Sequence, residues 1–394
     1  MRPTPRGARA RMSESFGAAA TALPPRYRWV VALLFTAFVA MGPVLQILAP
    51  PTKTRAAKPW PAWDTERFLD GTWAIEVEDH LRETSPCTIG LRGVAAEGLE
   101  VLGRHEADVE VGTAGMLFAP STLHPSFRRI DEQRDERIAI FRELVDWTAS
   151  RGIHLLCVPV PDKVRIEAGR LAGGKKLSAR KVAFYGDILA DLAAGGIEAI
   201  DVAEPMHAWR QAEPEVPLYH ERDTHWNATG AWRTALLVAR HVGERSWLDG
   251  APRAPLVGTP ANPIRAREDL AGLFGFLENG LFATRIFDTW ASGGVRMNGG
   301  SAGVSLPLPR EIRDAPVAVC GDSFAEGGLA WTLPLALGVT VDSLGAQAAK
   351  GPLHGLVETL GRIDRGELSP RILVWEFIER SVSEDWWVPR PDLP

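Results

Sequence analysis

Apolar residues recur along the chain with two distinct patterns. Over residues 136–149 they fall three and four apart (Ile138, Phe141, Leu144, Val145), and over 178–194 they do so again (Val182, Tyr185, Ile188, Leu189, Leu192). This spacing predicts two amphipathic helices, the second stopped by Gly195-Gly196. A further helix is predicted to begin at an Asn227 cap and another to span 353–362. Between the helices lie short runs that are apolar almost throughout: 153–160, 197–202, 316–320, 339–344 and 371–377. A strand covered on both faces has this composition, so the alternation predicts an α/β domain whose parallel sheet lies between two helical layers. Residues 245–310 are rich in glycine and proline and read as an irregular, loop-bearing insertion.

The amino-terminal pattern is different. No charge interrupts residues 29–49, a length sufficient to cross a hydrocarbon core of about 30 Å at about 1.5 Å per helical residue. Arg2, Arg6, Arg9, Arg11, Arg26 and Arg28 precede it, against Lys53, Arg55 and Lys58 after it. The positive-inside bias then predicts a cytoplasmic amino terminus over 1–28, a transmembrane signal anchor over 29–49, and a domain facing outward. A cleaved signal peptide is the rival, but Leu48-Ala49-Pro50-Pro51 is a poor cleavage site. Residues 50–64 read as a linker, and 65–394 as the extracytoplasmic domain.

Composition adds exclusions. A net charge of −5 gives no basic surface for nucleic acid. The three cysteines, Cys87, Cys157 and Cys320, have no metal-ligand spacing and an odd count, so plain thiols are expected, with neither metal nor cofactor.

In a parallel sheet, ligands bind beyond the carboxyl ends of the strands. The residues there include Asp162 and Lys163 after the first strand, Asp322 and Ser323 after the third, and Glu376 with Arg380 at the last. Gly321-Asp322-Ser323-Phe324 offers a nucleophile on a tight strand-to-helix turn whose backbone N–H groups outline an oxyanion site. A serine needs a base, and the base an orienting acid. Among the nine histidines, His225 stands two residues after Asp223 in a loop before a helix, and residues two apart in an extended segment point the same way. The pair can complete a triad; it can equally make local hydrogen bonds at a helix entry.

Asp223-Thr224-His225-Trp226 followed by Gly230-Ala231, with the serine motif later in the chain, resembles the signature of alginate O-acetyltransferases of the J and X type, which are SGNH-hydrolase-like proteins. Val158-Pro159-Val160-Pro161-Asp162-Lys163 and Gly115-Met116-Leu117-Phe118 extend the likeness over roughly residues 65–380, with Met116 where the family usually has tryptophan. The resemblance implies a flavodoxin-like three-layer α/β/α domain that acetylates a secreted polysaccharide at the inner membrane's outer side. It implies a partner too, a membrane-bound O-acyltransferase that supplies acetyl groups. Ser323, His225 and Asp223 would be the catalytic residues.

Lys163, Trp226 and Asp322 are candidate substrate contacts, Lys163 by its place at the sheet edge and Trp226, like Trp232 and Trp331, as a stacking face for a sugar. Glu376 and Arg380 read as a structural pair. Two rival functions share the fold: a carbohydrate acetylesterase with the same triad, and an inert scaffold of a polysaccharide export complex.

Overall fold

The computed structural model describes residues 109–254, 311–346 and 352–383 continuously, with short pieces within 62–80 and 256–297. The predicted anchor over 29–49 and Cys87 lie outside the described residues, among which no helix is long and apolar enough to cross a membrane. The chain divides into two units, residues 1–97 and 98–394. In the first, Asp64 accepts from Arg67 N–H (2.8 Å) at the start of a short helix, Thr65–Leu69.

The second unit is built on a five-stranded sheet. Its strands are β1 (His154–Val160), β2 (Glu198–Ala199), β3 (Val317–Gly321), β4 (Val341–Ala346) and β5 (Ile372–Ile378). All neighbours are parallel, in the spatial order β4-β3-β5-β1-β2. The last strand in sequence is therefore the middle one in space. It pairs with β1 from Ile372–His154 to Ile378–Val160, but with β3 only as far as Trp375–Cys320.

Every residue of β5 is buried, because helices cover both faces. Ile372, Val374 and Ile378 join a core with Ala231, Ala235 and Val238 of α4 (Ala228–Glu244) and Leu333 and Leu337 of α5 (Ala330–Leu337). The alternate residues Leu373, Trp375 and Phe377 face Ile140, Phe141 and Leu144 of α1 (Arg134–Ala149), Phe184 and Ile188 of α2 (Ala179–Ala194), and Leu356 and Leu360 of α6 (Pro352–Asp364). This is the alternation a central strand requires, and removing the Trp375 side chain would cost about 3–5 kcal/mol. One residue breaks the first apolar row: Glu376.

The helix boundaries follow local chemistry. Ser178 caps α2 by accepting from Lys181 N–H (3.1 Å), and Gly196 (φ +81°) turns the chain out of its end. Asn227 caps α4 by accepting from Thr229 and Gly230 N–H (2.9 and 3.1 Å). The run 197–202 pairs over two residues only, because Asp201 accepts from Ala203 N–H (2.9 Å) and starts α3 (Ala203–Ala212), a helix the periodicity did not predict. Within 245–310 the described strands pair as two antiparallel ribbons, Leu256–Thr259 with Gly294–Met297 and Ile264–Arg267 with Phe287–Trp290.

Candidate active site

The carboxyl ends of β1, β3 and β5 converge on one edge of the sheet, and the chemistry-bearing residues gather there. β3 ends at Gly321, where the chain turns so sharply that a Cβ would stand 2.6 Å from both the carbonyl oxygen and Oε2 of Glu376. Glycine at this position is what permits the turn. Ser323 follows at the head of a helical segment whose first full turn is π-helical, Ala325–Leu329, before it tightens into α5. Wide turns of this kind concentrate at functional sites.

The turn's backbone donors are largely committed. Asp322 and Ala325 N–H both donate to Glu376 Oε2 (3.3 and 3.0 Å), Phe324 N–H to Asp322 Oδ1 (2.8 Å) and Glu326 N–H to the Asp322 carbonyl (3.1 Å). Asp322 Oδ2 accepts from Ile378 N–H (3.2 Å), tying the turn to the end of β5.

The opposing loop closes on itself as a lariat. Tyr219 and Trp226 form an antiparallel bridge, and His220 N–H donates to the His225 carbonyl (3.1 Å). Asn227 N–H donates to the Leu218 carbonyl (3.0 Å), and Gly230 packs so tightly under that carbonyl that any side chain would collide with it. Three outside contacts hold the loop: Tyr219 OH to the Pro161 carbonyl (2.5 Å), Leu117 N–H to the Glu221 carbonyl (2.8 Å), and Lys163. The Lys163 ammonium donates to the carbonyls of Leu117 (2.7 Å), Glu221 (2.7 Å) and Asp223 (3.0 Å).

Loop and turn meet in a continuous relay. His225 Nε2 lies 2.6 Å from Ser323 Oγ, and His225 Nδ1 lies 2.5 Å from Asp223 Oδ1, which also accepts from the His225 backbone N–H (2.9 Å). Asp223 is buried, whereas His225 and Ser323 are half-buried at the surface. The imidazole packs on Phe324 with centroids 4.7 Å apart, so the residue after the nucleophile orients the base. A hydroxyl, an imidazole and a buried acid in this order are competent for nucleophilic attack with proton removal.

Two of the expected substrate contacts are placed elsewhere. Lys163 is 4% exposed and points inward, because the three carbonyls that converge on it satisfy an ammonium better than solvent does at a buried site. Trp226 is 3% exposed and packs edge-on against Phe324 (centroids 5.5 Å), with no face left for a sugar. Asp322 is buried in the turn itself. Glu376 and Arg380 do not pair with each other. Arg380 lies beside the triad loop, with Nη2 3.5 Å from Thr224 Oγ1 and Nη1 3.7 Å from Asp162.

Beneath the site lies a buried ionic cluster. Lys181 bridges Asp162 (2.6 Å) and Glu379 (2.8 Å), and Arg165 grips Glu379 (2.6 Å), clamping the ends of β1 and β5 together. Burial pushes the Glu379 carboxyl up, but the Arg165 hydrogen bond and the Lys181 charge outweigh it and hold the group below its ordinary value. Glu376, three positions earlier, has no ion-pair partner among the described residues. Burial, then the charge and side chain of Asp322, push its carboxyl well above the ordinary range, which favours its protonated form.

The sequence profile of the SGNH hydrolase-like domain of acetyltransferase AlgX matches residues 109–379, a stretch that contains every residue of the relay. The chain belongs to this family. Membership in the AlgX family makes it an O-acyltransferase by class. A protein of Pseudomonas fluorescens named probable alginate O-acetylase AlgJ is 26% identical over 320 residues, covering 79% of this chain and 78% of its own. Its namesake in Pseudomonas aeruginosa is 24% identical over 329 residues, covering 79% and 80%. Among solved structures, the O-acetyltransferase domain of Pseudomonas putida AlgJ has the same fold, with a TM-score of 0.58 at 24% identity over 72% of this chain and 95% of that one. Pseudomonas aeruginosa AlgX aligns with a TM-score of 0.53 at 17% identity, over 72% and 68%.

Proposed function

We propose that this AlgX-family enzyme transfers acetyl groups to hydroxyls of an extracytoplasmic polysaccharide through an acetyl-Ser323 intermediate. The observation that carries the reading is the unbroken relay from Ser323 Oγ through His225 to Asp223, at 2.6 and 2.5 Å. Nε2 takes the hydroxyl proton as Oγ attacks the acetyl carbonyl of the donor, and Asp223 holds the Nδ1–H tautomer and stabilises the imidazolium. The tetrahedral intermediate collapses, and the leaving group departs with the proton from Nε2. A sugar hydroxyl then gives its proton to Nε2 while its oxygen attacks acetyl-Ser323; the second tetrahedral intermediate collapses with cleavage of the acyl–Oγ bond, and Nε2 returns that proton to Ser323 Oγ, which restores the free serine and the neutral imidazole. Transfer exceeds hydrolysis when the acceptor is held in place, since positioning supplies several kcal/mol, up to about 7–11 in the best-oriented cases.

The uncharged run over 29–49 with its preceding arginines supports an inner-membrane anchor with the amino terminus in the cytoplasm. The alginate O-acetylase names of the relatives support alginate or a similar polysaccharide as the acceptor; a membrane-bound O-acyltransferase as the acetyl source is what the motif resemblance implies.

The test is intact-mass analysis of the full chain exposed to an activated acetyl ester, beside Ser323→Ala and His225→Ala. One acetyl adduct mapped to Ser323, lost in both variants, is expected. An adduct that persists in Ser323→Ala would refute the assignment. Following the acetyl group with acetylated and unacetylated polymer separates transfer from deacetylation.

A further inference from the structure

Glu376 is a fully buried acid that the relay does not use, placed in a strand whose neighbours on the same face are Ile372, Val374 and Ile378. It is there because the pairing of β5 with β3 ends at Trp375–Cys320, which sets the next residue of β5 beside the Gly321 turn. From that position one oxygen, Oε2, accepts the N–H groups of Asp322 and Ala325, the donors on either side of Ser323 and Phe324. Asp322 Oδ1 takes that of Phe324. Of the donors from Asp322 to Glu326, the N–H of Ser323 has no acceptor among the described residues.

We propose that Glu376 is a positioning residue for acyl transfer: by holding the N–H groups of Asp322 and Ala325 on a single oxygen, it fixes the nucleophile turn and reserves the Ser323 N–H for the acyl oxyanion. The inference rests on the acetyl-serine reading above and adds a part to it. Two further observations bear on it. Among the described residues Oε1 of Glu376 is buried without a hydrogen-bond partner, which a carboxyl group tolerates far better protonated than ionised. A second negative charge beside that of Asp322 would further oppose the negative charge that develops on the acyl oxygen, whereas a neutral acid accepts the two N–H groups without adding to that cost. Glutamine reproduces this neutral acceptor in nearly the same shape. Methionine fills the space and accepts nothing of comparable strength.

The experiment compares full-chain wild type, Glu376→Gln and Glu376→Met in two ways. Burst kinetics with an activated acetyl ester give the acylation rate per active site, which is insensitive to how much protein is folded. Hydrogen exchange of the peptide spanning 321–326 reports the turn itself, with or without acylation. Glu376→Met is expected to acylate about 10²-fold more slowly, the scale of losing one oxyanion donor, and to exchange faster in that peptide. Glu376→Gln is expected to rescue both, within about threefold in rate. A folded Glu376→Gln that falls as far as Glu376→Met overturns the proposal, and so does a Glu376→Met whose rate per active site stays within about twofold of wild type. A wild type that forms no acetyl-Ser323 overturns the oxyanion assignment together with the acyl-enzyme reading. That failure is told apart from the others because it leaves the exchange difference between the variants in place.

Discussion

Replacing Lys163 by methionine tests how the catalytic loop is held. Methionine keeps much of the stem's volume but leaves the carbonyls of Leu117, Glu221 and Asp223 without their shared donor. An orphaned buried acceptor costs about 1–3 kcal/mol, and at the lower end, with water reaching the exposed Glu221 side, the sum is about 3 kcal/mol. For a unit of this size that corresponds to a fall in Tm of about 6 °C. The Asp223 carbonyl is one of the three, so the loss also frees the acid that orients His225. A 1 Å displacement of a reacting group costs on the order of 10²-fold in rate, so acylation should slow by about 10- to 100-fold with little change in KM for a small acetyl ester. Arginine should not restore it, because a planar guanidinium does not converge on three carbonyls as a compact ammonium does. Scanning calorimetry and burst kinetics read the two effects separately. If Lys163→Met kept its Tm and acylation rate but lost affinity for the polymer acceptor, the clamp would be wrong and the residue would be a substrate contact after all.

The raised pKa of buried Glu376 gives a pH-dependent stability with a definite sign. Because its folded-state pKa lies well above that of the unfolded chain, its favourable contribution is complete below the unfolded value and drains away as pH rises through the folded one. Glu376→Gln removes this loss, so its unfolding free energy relative to wild type should climb as pH rises above the ordinary carboxylate range, by up to about 1.4 kcal/mol per pH unit, as denaturant titrations would show; a constant difference would count against a raised Glu376 pKa. Burial raises the Cys157 and Cys320 thiols well above their ordinary value. Both should resist alkylation at pH 8 in the native protein and react on unfolding, as peptide mapping would show; rapid native labelling of either would contradict their place in the sheet. Gly230→Val should lower Tm and slow acylation together, since its side chain would displace the Leu218 carbonyl and Trp226 behind the catalytic loop, and an unaffected variant would refute that close approach.

Sequence pattern reached the parts of the fold in which local and tertiary demands coincide. The runs at 153–160, 316–320 and 371–377 are apolar because both of their faces are covered, and they appear within a residue of their expected bounds as β1, β3 and β5. The run at 339–344 begins two residues late because Gly338 (φ +67°) ends α5 and the chain must first leave the helix. Helix α3 escaped notice because its start depends on Asp201 turning the chain, a feature periodicity does not register. At the site, the spacing of Asp223 and His225 suggested their contact, but their partnership with Ser323, 98 positions away, came through motif resemblance. The inward direction of Lys163 was not legible because a sheet-edge position does not reveal which way a side chain points; that depends on three carbonyls contributed by two distant segments. Glu376 did carry a visible signal, a carboxylate inside an otherwise apolar strand. Its use lies in the turn of another strand, which a one-dimensional pattern does not place beside it.

The central position of β5 gives the protein a temporal order. During synthesis, β1 with β2 and β3 with β4 emerge as separate strand pairs, and no strand joins them into one sheet until residues 372–378 arrive. The same segment brings Glu376 to the nucleophile turn, Ile378 to Asp322, and Glu379 to Lys181 and Arg165. A chain stalled or clipped before that point holds Ser323, His225 and Asp223 in its sequence yet lacks the strand that sets the serine turn against the histidine loop. A chain ending before residue 372 is therefore expected to lack acyl chemistry and to leave unpaired strand edges between its two half-sheets.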